Sequence, residues 1–163
     1  MIGYGRKSPE VTRALRAAEE ILPSSGDLED LLDNLSESRG RPLRVLTAPL
    51  ESKISGLLIS TDRADYIAAS ERASPERLVA IVCHEVAHTL LGHDHSKPVG
   101  QELVDSGLLR GIDSRLAGSV VTTRQAYAHT DEADAETVAT YVSIELRRRV
   151  MRGGNTFFDE RWR

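Results

Sequence analysis

At 163 residues and 40% hydrophobic side chains, the chain has the length of one compact domain able to bury a core without staples. Its 21 basic against 25 acidic residues leave a net charge of −4, which argues against a general nucleic-acid or anionic-membrane binder. The single cysteine, Cys83, excludes an intramolecular disulfide and, lying in an apolar run, implies a buried thiol in a reducing compartment. Met1 to Pro9 turns polar at once and offers neither a secretory apolar region nor a membrane span, so the expected location is cytoplasmic.

Ser8 and Pro9 open an amphipathic helix on which Val11, Leu15, Ala18 and Leu22 recur at helical spacing, and Pro23 to Gly26 breaks it. Asp27 caps a second, with Leu28, Leu31, Leu32 and Leu35 on one face before Arg39-Gly40-Arg41-Pro42, so two helices occupy about residues 9–40. The short apolar runs Leu43 to Thr47, Gly56 to Ser60 and Ala64 to Ala69 suit strands of a small sheet over 43–70. Ser74 as cap, Pro75 at the first helical position and Gly92 as stop delimit a helix over 75–92. Gly92 to Gly100 reads as a polar turn in which His93 and His95 are solvated, and Gln101 to Thr123 reads as a short helix and a loop. From Thr130, the positions Ala133, Val138, Tyr141, Val142, Ile144 and Leu146 restore a helix over 130–152. Its Arg147-Arg148-Arg149 suits a negative helix C-terminus better than nucleic acid, since nothing aromatic is interleaved. The tail from Asn155 carries Phe157, Phe158 and Trp162.

Chemistry concentrates in His84-Glu85-Val86-Ala87-His88. At about 100° per residue, positions four apart share a helix face, so both imidazoles can reach one tetrahedral metal ion, with Zn2+ the expected cofactor, while Glu85 stands beside it. That pattern suits metal-assisted hydrolysis, with Glu85 as general base and acid. Leu78 to Cys83 before the motif and Val86, Ala87, Leu90 and Leu91 within and after it keep it inside an apolar helix.

A catalytic site of this kind needs a third protein ligand and one open position. One source is the acidic run Asp131-Glu132-Ala133-Asp134-Ala135-Glu136 on the late helix. There Glu132 can bind the metal while Glu136, one turn on, supports a ligand imidazole's second nitrogen; Asp134 or Glu136 as the ligand are the alternatives. The other source is local: Asp94 lies ten residues after His84, at the spacing of extended zinc-peptidase motifs, although Gly92 falls one place late for the metzincin pattern. His129, just before the acidic run, can donate a hydrogen bond to a developing oxyanion.

Ile81-Val82-Cys83-His84-Glu85-Val86-Ala87-His88-Thr89-Leu90-Leu91-Gly92-His93, followed later by Glu132-Ala133-Asp134-Ala135-Glu136-Thr137-Val138-Ala139-Thr140, resembles the ImmA/IrrE-like zinc metallopeptidases over roughly Leu43 to Leu146. Asp134 stands where that family commonly has a glutamate. The resemblance implies an α+β zincin-like metallopeptidase domain over 1–163, with a small sheet packed on the motif helix and the third ligand on the later helix. It implies a zinc-dependent, gluzincin-type endopeptidase whose protein substrate is a helix-turn-helix repressor, with no direct contact to nucleic acid or membrane. The alternative is a metal-binding regulatory or toxin-like interaction protein without general protease activity.

Overall fold

The computed structural model describes residues 8–50, 56–61, 63–93, 97–98, 122–124 and 129–153. Among them are four helices, α1 (Pro9–Ile21), α2 (Leu28–Arg39), α3 (Pro75–Leu91) and α4 (His129–Gly153). Five strands accompany them: β1 (Leu43–Ala48), β2 (Gly56–Ser60), β3 (Asp65–Ser70), β4 (Lys97–Pro98) and β5 (Thr122–Arg124). The class is α+β, as the sequence leads one to expect.

The first three helices begin where short polar side chains can satisfy amide groups left over at a helix start. Ser8 Oγ accepts from Val11 N at 3.2 Å, Asp27 Oδ1 from Glu29 N at 2.7 Å, and Ser74 Oγ from Arg77 N at 3.3 Å. Proline follows the serine caps of α1 and α3, where its missing N–H costs nothing.

Strand β3 forms the middle of a mixed three-strand sheet, parallel to β1 (Leu43 opposite Asp65) and antiparallel to β2 (Gly56 opposite Ala69). Thr61 closes the turn between β2 and β3: its hydroxyl donates to Ala64 O at 2.8 Å while Oγ1 accepts from Ala64 N at 3.0 Å. β5 continues the sheet beyond β2 and β4 forms the far edge, giving the order β1-β3-β2-β5-β4. Those two short strands lie where the sequence reads as turn and loop. β5 pairs with β2 and β4 with β5, and two or three residues are too few to show an alternating pattern of their own. Pro98 is tolerated because β4 is an edge.

Helix α3 packs along α4 and against β2 and β3, α1 packs on both α3 and α4, and α2 covers β1. One apolar cluster joins all four helices to the sheet, with Leu31, Leu35, Leu58, Ile67, Val82, Val86, Val138 and Leu146 fully enclosed. The buried stripe of α4 is Ala135, Val138, Val142, Leu146 and Val150, whereas Ala133 and Ile144 of the expected apolar pattern are exposed. The helix continues past the arginine run, so those side chains do not cap their own helix. Arg148 pairs with Glu145 at 2.6 Å, and Arg149 donates to Leu22 O at 2.9 Å, meeting the negative end of α1 instead.

Asp65 fastens α2 to the sheet. Buried at 1% exposure, it accepts from Arg39 Nη2 at 2.7 Å and Arg41 Nε at 3.0 Å, and Arg41 also donates to Thr61 O. Burial alone would push its carboxyl up, but the hydrogen bonds from the two arginines outweigh that and hold it below its ordinary value. A depressed folded-state pKa contributes stability above the unfolded value of about 4, and that contribution is lost as the pH falls through the folded value. Asp65→Asn is therefore expected to cost about 3 kcal/mol at pH 7. The gap from wild type should narrow well below about pH 4. Denaturant titrations at both pH values check the size and the trend.

Candidate metal centre

His84 and His88 lie on consecutive turns of α3, and their Nε2 atoms are 3.1 Å apart. Glu132, in the first turn of α4, brings Oε2 to 3.3 Å from His84 Nε2 and Oε1 to 3.6 Å from His88 Nε2. Donors bound at about 2.0–2.1 Å to a tetrahedral ion stand roughly 3.3 Å from one another, so these separations fit a metal ligated by two imidazoles and a carboxylate. Taking one donor atom from each residue, all three lie within 4.8 Å of one another, and the group could hold a metal ion.

The three ligating side chains differ in exposure. His88 is fully enclosed, while the side chains of His84 and Glu132 are 29% and 42% exposed, so the group opens to solvent on one side. Glu85 is buried beside that opening and lines a cavity of about 360 Å³ together with Arg77, Ile81, His84, Glu132 and Glu136. Gly56, at the start of β2, lies against the same stretch of α3. A Cβ there would overlap Ile81 Cγ2 and stand 3.7 Å from Glu85 Oε1, so the sheet approaches the motif helix closely. A neighbouring cavity of about 450 Å³ shares Ala80 and Glu136 with the first and extends along α4 to the exposed Ile144 and Met151.

The remaining imidazole nitrogens face defined groups. Glu136 Oε2 stands 3.8 Å from His84 Nδ1, beyond hydrogen-bond length but within electrostatic reach. His88 Nδ1 meets His93 Nδ1 at 2.9 Å. His93 is 13% exposed and held in place, unlike the solvated turn residue that sequence composition suggests. Its position follows from the end of α3. Gly92 adopts φ 72°, and His93 N donates to His88 O at 3.0 Å while Gly92 N donates to Thr89 O at 3.2 Å. This pair of bonds is the Schellman ending, which folds the residue after the glycine back over the one five positions earlier. The signal was therefore present in the sequence as a glycine between two histidines.

Cys83 precedes the motif but faces the interior. Burial pushes its thiol up to about 11, against a smaller opposing effect of a hydrogen bond with Ser143, so it remains a neutral thiol at physiological pH. Asp134 turns away from the three donors and accepts the Ser8 hydroxyl at 3.3 Å, serving the start of α1. Asp94 lies outside the described residues, as does the side chain of His129, which is the first residue of α4. No helix among the described residues is long and apolar enough to cross a membrane.

No family model, curated protein or solved structure matches the chain, so the functional reading rests on the residues themselves. Elemental analysis tests the group directly, on protein purified without affinity-tag metals. Wild type and Asp134→Ala are expected to carry about one metal ion per chain, and His84→Ala and Glu132→Ala to lose it. Retention by Glu132→Ala would remove Glu132 from the ligand set.

Proposed function

We propose that this chain is a zinc-dependent endopeptidase acting on a protein partner, with His84, His88 and Glu132 as ligands and Glu85 as the acid and base. The observation that carries the reading is the convergence of the three donors at tetrahedral spacing with a buried carboxylate beside their open side. Zinc held there would supply Lewis acidity at neutral pH.

Glu85 takes a proton from the attacking water and returns it to the departing amine, and its enclosure beside the opening keeps the carboxylate close to both events. Glu136 attracts the Nδ1 edge of His84 and so favours the tautomer that leaves Nε2 free to ligate. Imidazoles plus one carboxylate match the donor set of catalytic rather than structural zinc sites, and the exposed edges of His84 and Glu132 leave room for a substrate. The ImmA/IrrE-like resemblance adds a substrate class, a helix-turn-helix repressor, and the cavity continuing along α4 offers room for a polypeptide beyond the scissile bond.

Glu85→Gln separates an enzyme from a protein that uses the metal only to bind. With peptide mixtures and candidate repressors as substrates, mass spectrometry should find new chain termini with wild type. The variant should produce them at least about 10²-fold more slowly while keeping its zinc. Equal cleavage by both proteins, or none by a zinc-loaded wild type, would overturn the peptidase reading.

A further inference from the structure

The reading of His84, His88 and Glu132 as metal ligands leaves one arrangement unused. On the far side of the buried ligand, His88 Nδ1 lies 2.9 Å from His93 Nδ1, and His93 Nε2 lies 3.8 Å from Asp131 Oδ1. The order His88, His93, Asp131 thus runs from the middle of the site, around the glycine ending of α3, to the first turn of α4 next to Glu132.

We propose that His93, oriented by Asp131, is a positioning residue that fixes the ligating tautomer of His88. This role rests on the metal-centre reading and follows from what each group can donate and accept. Asp131 Oδ1, at 3.8 Å beyond hydrogen-bond length but within electrostatic reach, favours the proton of a neutral His93 on the facing Nε2. That leaves His93 Nδ1 with a lone pair. The 2.9 Å contact then requires the other proton to sit on His88 Nδ1, which leaves the lone pair of His88 Nε2 pointed at His84 and Glu132. The opposite polarity would put a proton on the nitrogen that the metal needs. His88 is wholly enclosed, so bulk water does not provide the alternative acceptor that a surface imidazole would have.

The geometry also explains how this residue comes to be there. A Schellman ending frequently sets an apolar contact between the residue after the glycine and the one five positions earlier. Here that place is filled by an imidazole, and the same backbone bond from His93 N to His88 O holds the two rings together. Asp131 and Glu132 are adjacent on α4, so one helical turn supplies both the group that orients His93 and the third donor of the metal group.

The test compares zinc affinity, measured by competition with a chromophoric chelator, in wild type, His93→Leu, His93→Asn and Asp131→Ala, with helix content and melting temperature followed in parallel. His93→Leu should weaken zinc binding about 10- to 100-fold. Asn places its carbonyl oxygen near the position of the imidazole Nδ1, so His93→Asn should recover most of that loss, and Asp131→Ala should fall between Leu and wild type. Cobalt substituted for zinc gives a second readout: the visible absorption band should shift in His93→Leu and return toward wild type in His93→Asn. Unchanged affinity and spectrum in a folded His93→Leu would overturn the positioning role and leave the metal centre standing. Equal loss in the Leu and Asn variants would overturn it too, because a merely space-filling role does not distinguish an acceptor from an apolar group. A wild type that binds neither ion would overturn both readings.

Discussion

The packing of α3 along α4 is the constraint on which the site depends. Three donor atoms must stand about 3.3 Å apart to share a tetrahedral ion, and two of them come from one helix and the third from another. The histidines of α3 find each other through helical periodicity alone, but the carboxylate of Glu132 arrives only because the helices run in opposite directions. Successive turns toward the start of α3, from His84 to Ala80, face successive turns into α4, from Glu132 and Glu136 to Ala139 and Ile144. Apolar burial along this contact, through Val82, Val86, Val138 and Val142, fixes the two backbones before any polar group is considered.

Burial also sorts the polar groups by task. An enclosed imidazole or carboxylate is costly unless something compensates, and the interior near α3 holds His88 and Glu85 at 0% and 6% exposure. Cys83, one residue before the first histidine, looks into the core on the opposite side and stays chemically quiet. A helix whose faces are so distinct can carry an apolar seam and a polar edge in adjacent positions.

Much of this was legible in the sequence. The caps Ser8, Asp27 and Ser74 and the glycine stops Gly40 and Gly92 mark helix ends by local chemistry, which a sequence displays openly. The paired histidines were equally plain, because four-residue spacing is a property of one helix. The third donor was not, since Glu132, Asp134 and Glu136 share one short acidic run and only the rotation of α4 against α3 distinguishes them. Asp134, bound to Ser8 at the far end of the chain, shows why: its partner is 126 residues away. The short strands β4 and β5 escaped for a related reason, β5 being held by β2 and β4 by β5. The arginines of α4 were read as serving their own helix end, while Arg149 serves that of α1.

That last contact matters for how the protein comes into being. Ser8 to Asp134 and Arg149 to Leu22 tie the two ends of α1 to α4 across 126 and 127 residues. A chain emerging from the ribosome therefore carries α1, β1 to β3 and both histidines long before α4 exists to meet them. Until that helix emerges, the growing polypeptide presents His84 and His88 without Glu132, so the three-donor group forms only once α4 has been made. Long-range closure of this kind is also slow compared with helix formation. Assembly of the three donors is thereby deferred until the last of the described helices has been made.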